Sequence, residues 1–325
     1  MRPEPGAIDR APRVSIVMTF LDPPAIFFRE ALDSVIAQTF GDWELLLVND
    51  GSCEESSRIA DEYAAQESRI RLLEHENRAN RGMGASRNLA FRHAGWEYVA
   101  FLDADDVWLP DKLERQIPVL DRWPEAGLTY WNTLSWYSWT GDPADRDRDR
   151  LRRLGLPRDR LLFPPEPIVY YLEAKAAIPV IGSLLARRSA IERVGGFEDE
   201  YTGLHEDQVF YARMMLSHPI VVTDGWKEKY RRHPRAITKI IRNSGSTYDE
   251  HRKYIEWLNR YLSEQGWEGT DIWRLAQRRL WYTRHRRLDS MTHAVRLARQ
   301  RVTRRLRGLA RSLRGKEGAR GSTEL

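Results

Sequence analysis

The chain has 325 residues, 42% of them hydrophobic, with 52 Lys/Arg against 47 Asp/Glu, a mean hydropathy of −0.60 and a single cysteine, Cys53. That length holds one large domain or two small ones; no apolar stretch approaches the ~20 residues of a membrane span, the first twelve residues lack the apolar core of a secretory leader, and one cysteine excludes an internal disulfide framework and suits a reducing compartment. The formal charge of +5 is uneven: residues 270–325 carry 16 Lys/Arg and 4 Asp/Glu, so a mildly acidic body precedes a basic tail.

Residues 1–12 are Pro-rich and read as a disordered tail. A β/α alternation then begins, with strands expected at 14–20, 43–48, 70–74 and 98–102 and helices at 27–38, 56–66, 84–94 and 110–123, the last with Pro110 in the first-turn position that proline prefers. Such alternation implies a mostly parallel sheet covered by helices on both faces. Beyond Trp123 the pattern loosens into an aromatic stretch, 123–139, and a dense Asp/Arg mixture, 142–160, that reads as an exposed loop or a solvated helix. Order returns at 178–185, with helices at 189–194 and 205–216, and 230–233 closes the globular part. The expected organisation is a tail (1–12), an α/β domain (13–235) and a basic helical region (236–325).

The segment Phe101-Leu102-Asp103-Ala104-Asp105-Asp106 carries the most chemistry. Three carboxylates directly after a buried strand are costly unless something positive binds there. A divalent cation carrying a diphosphate fits, because Mg²⁺ or Mn²⁺ takes a few carboxylates plus phosphate oxygens; the alternative is a polar loop with capping Asp. In an open parallel sheet ligands bind beyond the carboxyl ends of the strands, where strand order reverses. Asp22 and Asp50 should join the three at that edge, after the first and second strands. Cys53 reads as a bystander in a polar turn, and Gly82-Met83-Gly84 as a flexible entry to a helix, since it lacks the Lys-Ser/Thr of a phosphate loop.

Five stretches come in a recognisable order: VSIVMTF (14–20), ELLLVNDGS (44–52), GASRNLA (84–90), FLDADD (101–106) and HEDQVFYAR (205–213). Over roughly residues 13–235 the sequence resembles the family 2 inverting glycosyltransferases with a GT-A fold. The resemblance implies that Asp50 hydrogen-bonds the donor's nucleobase, usually uracil, and that Arg87 is a basic residue on the nucleotide side, with Thr19 beside them at the end of the first strand. Asp103 and Asp105 match the family's DxD pair, holding ribose and metal–diphosphate, and Asp106 shares the metal; the division of roles among the three stays open. Arg231 and Arg232 would approach the diphosphate, and His233 would join Asp105 and Asp106 as a metal ligand. Glu206-Asp207 matches the family's ED pair, with Asp207 the base that takes the acceptor hydroxyl's proton and Glu206 binding the acceptor or orienting the base. Both also stand where carboxylates stabilise a helix N-terminus. Gly182-Ser183 fall where the family's acceptor-facing loop lies. The aromatic cluster around Trp131, Trp136 and Trp139 supplies core, acceptor-stacking rings, or both.

The implied activity is metal-dependent (Mn²⁺ or Mg²⁺) transfer of a sugar from a nucleoside diphosphate, UDP favoured, to a hydroxyl of a saccharide or lipid-linked saccharide in cell-surface glycan assembly. Two alternatives stay open: a non-catalytic binding protein of the same fold, and a nucleotidyltransferase, which would carry a Gly-rich basic loop after the first strand where this chain has Phe20-Leu21-Asp22-Pro23-Pro24. Between 288 and 314, apolar residues recur every three or four positions with arginines on the other faces. That stripe fits an interfacial helix on an anionic membrane or a helix packed on the domain; a nucleic-acid tail is disfavoured by the acidic body. The corresponding location is cytoplasmic, peripheral to the inner membrane face.

Overall fold

A computed structural model describes residues 13–285, apart from 153, 200, 202 and 203. The 1–12 tail and the 288–314 stripe lie outside the described residues. The first half follows the expected alternation: β1 (Val14–Phe20), α1 (Ala25–Ile36), β2 (Trp43–Asn49), α2 (Glu54–Gln66), β3 (Ile70–Glu74), α3 (Met83–His93) and β4 (Tyr98–Phe101). Next come β5 (Val107–Trp108), α4 (Lys112–Arg122), β6 (Leu128–Trp136), α5 (Pro143–Arg146), β7 (Arg150–Leu151), β8 (Leu161–Leu162) and α6 (Glu166–Leu172). The described chain ends with β9 (Leu184–Arg187), α7 (Arg188–Val194), α8 (Glu206–Ser217), β10 (Ile220–Arg231), α9 (Ile237–Ser244), α10 (Thr247–Glu264) and α11 (Asp271–Arg284).

The strands form one sheet in the order β3-β2-β1-β4-β9-β6-β10-β5, with β7 beside β6 and β8 beside β10. β1 pairs in parallel with β2 (Val14 opposite Trp43) and with β4 (Val14 opposite Tyr98). β2 and β4 are buried along their whole length, and β1 almost so, as strands with helices on both faces must be. Alternate side chains feed two cores. Ile16, Met18, Leu45 and Leu47 pack under α1, α2 and α4, while Val17, Leu46 and Val48 pack with α8, α10 and α11. Because β2 lies on one side of β1 and β4 on the other, strand order reverses at β1, and a crevice opens past the ends at Phe20, Asn49 and Phe101.

Past β4 the sheet is mixed: β9 runs antiparallel to both β4 and β6, and β10 returns parallel to β6. The aromatic stretch became β6, a nine-residue interior strand, because its β-branched and aromatic side chains fit a pleated, half-buried surface. α4 starts at Lys112 rather than Pro110, whose carbonyl accepts from the Thr39 N–H at 2.9 Å instead. The Asp/Arg segment holds the short α5 and β7 and anchors itself through buried Leu154 and Leu156. No described helix is long and apolar enough to cross a membrane.

α10 and α11 share their core with the sheet: Leu258, Leu262, Ile272 and Ala276 are buried in one cluster with Val209, Tyr211 and Val222. Leu258, fully buried, is therefore expected to lose about 2–5 kcal/mol of stability on Leu258→Ala. Urea unfolding followed by both tryptophan fluorescence and circular dichroism should shift as a single transition. Two separated transitions would mean that the helices fold apart from the sheet.

Candidate active site

Arg87 projects from α3 and is 4% exposed. Its Nη2 donates to Asp103 Oδ1 at 2.8 Å, its Nη1 pairs with Glu206 Oε1, and its guanidinium lies 5.3 Å from the centre of the Phe197 ring. One cation thus joins the loop after β4 to the start of α8. Burial alone would lower the Arg87 pKa, but Glu206 and then Asp103 more than reverse it and hold the guanidinium charged. Burial raises the Asp103 carboxyl, against the pull of Arg87.

α8 opens at His205, whose φ of 78° lies in the left-handed region. Glu206, the first residue of the helix, reaches Arg87 on α3. Burial pushes Glu206 up to about 7, while Arg87 opposes it. Burial likewise lifts Asp207 to about 6, tempered by Arg87 and by the Gln208 N–H, which donates to Asp207 Oδ1 at 2.8 Å. A carboxylate near 6 is a better proton acceptor than an exposed one while remaining ionised at neutral pH. One turn on, the Tyr211 hydroxyl is buried without a partner.

On the other wall, His233 Nε2 meets Asp105 Oδ2 at 2.8 Å, and His233 Nδ1 is buried without a partner. Asp106 is fully buried; its Oδ1 accepts from the Arg231 N–H at 2.7 Å and its Oδ2 has no partner. Among the described residues no three acidic, imidazole or thiol groups converge into a closed metal cage. Asp105 with His233 is instead an open oxygen–nitrogen pair, suited to a cation that draws its remaining ligands from phosphate and water.

Arg231 and Arg232, adjacent in sequence, face opposite ways. Arg231 is 2% exposed, enclosed by Phe27, Trp136 and Trp139 with its charge 4.1, 4.4 and 5.8 Å from their ring centres. It donates from Nε to Asp105 O at 2.8 Å and pairs through Nη2 with Glu30. Its charge is therefore not presented to a diphosphate, as the sequence reading expected; it braces the acidic loop from behind. Trp136 and Trp139 serve that enclosure, and Trp131 is core, 5% exposed. Arg232, just past the end of β10, lies over the Tyr230 ring at 4.5 Å.

Just past β2, Asp50 is buried and accepts from the Arg81 N–H at 2.7 Å, with His75 Nε2 3.8 Å away. Thr19 is half-buried opposite Val48. Asp22, at a positive φ, caps the Cys53 N–H at 2.8 Å and so closes the β1 and β2 loops together rather than pointing into the crevice. Gly82, at φ +84°, turns the chain into α3. Gly182 is a close-approach glycine: a Cβ there would collide with Glu228 Oε1.

Glu228 escaped the sequence reading. It sits in the charged run Lys227-Glu228-Lys229, where nothing distinguishes the one inward-facing side chain. It is 1% exposed, burial pushes it up to about 7, and Thr133 Oγ1 donates to its Oε2 at 2.7 Å. His75 was missed for the same reason, lying in a polar loop far from Asp50 in sequence.

A parallel nucleotide-type sheet edge with an acidic metal-ready loop and a facing pair of carboxylates defines a GT-A architecture. The family model described as "Glycosyl transferase family 2" matches residues 15–190. The chain is 34% identical over 116 residues to "Putative glycosyltransferase EpsE" of Bacillus subtilis, covering 35% of this chain and 41% of that one. It is 38% identical over 90 residues to the Escherichia coli "UDP-Glc:alpha-D-GlcNAc-diphosphoundecaprenol beta-1,3-glucosyltransferase WfgD", covering 28% and 34% respectively. The chain thus spans well under half the length of these relatives. Among solved structures, Staphylococcus aureus TarS 1-349 in complex with UDP-GlcNAc superposes with a TM-score of 0.54 at 16% identity over 77% of this chain and 73% of that one. The mannosyltransferase PcManGT from Pyrobaculum calidifontis, in complex with GDP-Man and Mn²⁺, gives 0.52 at 18% over 85% and 70%. Both show the same fold. The chain belongs to glycosyl transferase family 2.

Arg87→Ala would leave buried Glu206 and half-buried Asp103 without their shared cation. The expected loss is about 3–5 kcal/mol at pH 7.5 by chemical denaturation, and Arg87→Lys should lose part of it, since an ammonium cannot fork to both carboxylates. The loss should shrink below pH 7, where a Glu206 that already titrates near 7 becomes neutral.

Proposed function

We propose that the protein is a metal-dependent, inverting glycosyltransferase that moves a hexose from a nucleoside diphosphate donor, UDP favoured, to a hydroxyl of a saccharide or lipid-linked saccharide. The observation that carries this reading is the Arg87 bridge, which sets the Asp103–Asp106 loop and the Glu206-Asp207 pair on facing sides of one crevice. Asp50 would recognise the base, with Thr19 beside it, and Asp103 the ribose. Asp105 and His233 would hold Mn²⁺ or Mg²⁺; bound there, the cation neutralises the departing diphosphate. Asp106 and Arg231 would fix the loop that carries Asp105.

In the reaction, the acceptor hydroxyl attacks the anomeric carbon from the face opposite the diphosphate. Its proton passes to an Asp207 carboxylate oxygen as the new C–O bond forms. The bond from the anomeric carbon to the diphosphate oxygen breaks, and its electron pair leaves with the nucleotide, so the configuration inverts. Glu206, tied to Arg87, would orient the acceptor beside Asp207. The lipid-diphosphate acceptor of the relative WfgD and the nucleotide sugars bound to TarS and PcManGT support the substrate classes. We place the enzyme in glycan assembly at the cytoplasmic membrane face. The domain from 13 to 235 would carry the chemistry and the region beyond it, including 288–314, the contact with anionic lipid.

Two outcomes test the reading. Asp105→Ala should abolish Mn²⁺-dependent binding and slow hydrolysis of a UDP-sugar while uridine binding persists; metal-independent turnover in that variant would overturn the metal assignment. Asp207→Asn should lower kcat by about 10²–10⁴-fold with donor binding retained. In the wild type, kcat should fall as pH drops through about 6, where Asp207 gains a proton. Stability should run the other way. Glu206 and Asp207 titrate higher in the folded chain than the ordinary ~4 of a free carboxyl, so their contribution is fullest below pH ~4 and is lost as pH rises through 6 to 7.

A further inference from the structure

α9 is eight residues long, and none of them is buried. A helix that short is marginal in water and draws its stability from an apolar face packed on something else. Ile237, Ile240 and Ile241 share one face of α9 at the i, i+3, i+4 spacing. Yet Ile237 is 49% and Ile240 51% exposed. The run from 229 to 248 holds Lys229, Arg231, Arg232, Arg235, Lys239 and Arg242 and no Asp or Glu. Arg235, Lys239 and Arg242 are exposed, and among the described residues none of the three has a carboxylate partner.

Contacts at both ends fix where this helix lies. Phe27 of α1 packs edge-on against His233, ring centres 5.1 Å apart; its chain neighbour Ile26 is 65% exposed and Leu21, in the loop before it, 50%. His233 O accepts from the Ala236 N–H at 3.3 Å, and Thr238 meets the Tyr230 hydroxyl at 3.3 Å, which seats the start of α9 at the end of β10. At the far end Gly245 and Ser246 turn the chain into α10, where the Tyr248 hydroxyl donates to Thr283 O near the end of α11. There Trp281, 47% exposed, stacks on His285 with ring centres 4.3 Å apart. The described residues end at His285, and residues 286–325 carry 12 Lys/Arg against 3 Asp/Glu. α9 thus bridges from the Asp105–His233 pair to the point where the basic tail begins, with exposed apolar side chains along it and at both ends.

Exposed isoleucines flanked by unpaired cations match an anionic bilayer, which takes the apolar side chains into its headgroup boundary and the cations onto its phosphates. A second copy of the chain fits less well: a twofold contact sets the patch against itself, cation facing cation with no acid to relieve it. We propose that α9, with Ile26 on one side and the end of α11 on the other, is the face that docks on an anionic lipid surface, so that the bilayer lies beside the Asp105–His233 pair. A tail alone would only tether the protein; α9 sets which side of it meets the lipid. The docking face rests on exposure, charge and the contacts at its two ends. That it brings a lipid-linked acceptor to the crevice rests on the transferase reading.

The test uses the full chain and phosphatidylcholine vesicles with or without phosphatidylglycerol. In a Cys53→Ser background, an environment-sensitive dye is attached through Ile240→Cys or, as a control, through Asp61→Cys on α2, which packs on β3 at the opposite edge of the sheet. On phosphatidylglycerol vesicles the dye at 240 should shift to the blue and be quenched by a lipid-borne quencher, and the dye at 61 should not respond. The double variant Ile237→Asp, Ile240→Asp should bind these vesicles about tenfold or more weakly, with an unchanged urea midpoint because both side chains are exposed. A chain that sits on vesicles with the dye at 240 still in water would assign the contact to the tail alone and overturn the proposal. So would a dye at 61 that responds as strongly, equal affinity in the double variant, or no vesicle binding at all. A blue shift at 240 that grows with protein concentration without lipid, with a doubled mass by light scattering, would overturn it in favour of a second copy. UDP and uridine binding, measured without vesicles, separates the two readings: a chain that docks through α9 but binds neither would keep the docking face and sink the transferase reading.

Discussion

One buried cation organises the site. Arg87 meets Asp103 and Glu206, which lie 16 and 119 residues away in sequence, with Arg87 and Glu206 removed from water and Asp103 half-buried beside them. Desolvation makes each charge costly alone, so the arrangement is favourable only when α3, the loop after β4 and the start of α8 are docked at once. The neighbouring Asn88 tightens the same joint, accepting from the Phe197 N–H at 2.8 Å and donating to Phe197 O at 2.9 Å. Gly196, at φ +71°, lies so close to Asn88 that a Cβ would crowd its amide oxygen. α3 is therefore the hub through which the two acidic walls find their separation.

The far wall is held by a different principle. Arg231 is kept charged inside aromatic rings, where cation–π attraction and the Glu30 carboxylate replace lost hydration. Its backbone N–H and its Nε both bind the Asp105-Asp106 turn. β10 consequently does two jobs with alternate residues: Arg231 on one face braces the loop from behind, and Glu228 and Tyr230 lie on the other. A strand's twofold period makes that division available without any extra element.

The crevice is built acidic. Asp103, Glu206, Asp207 and Glu228 are all raised by burial, and among the described residues only Asp103 and Glu206 of the four share an ion pair, with Arg87. Stability forgone at such a site is the usual accompaniment of preorganised chemistry. In the proposed reaction a cation with a nucleotide diphosphate would offset that charge, and the acceptor hydroxyl would meet a carboxylate whose basicity has already been lifted.

Much of this was legible in the chain itself. The βαβ alternation through residue 102 follows from continuous apolar runs and helical periodicity, which depend on local spacing, and the structure reproduces it nearly residue for residue. The acidic cluster after β4 and the Glu206-Asp207 pair are likewise visible, because carboxylates after an apolar strand or at a helix start stand out in one dimension. Contacts between distant segments are not. Nothing local distinguishes Arg231, caged by aromatic rings, from Arg232, lying over Tyr230, since only strand register assigns a side chain its face. Nor could spacing show that the aromatic stretch is an interior strand or that Glu228 faces Gly182. Sequence determined which segments become strands and helices and which residue types crowd the edge of the sheet. Tertiary structure alone decided which charges share a partner and which are left to bind something else, because burial and pairing are properties of the docked elements and not of the chain that makes them.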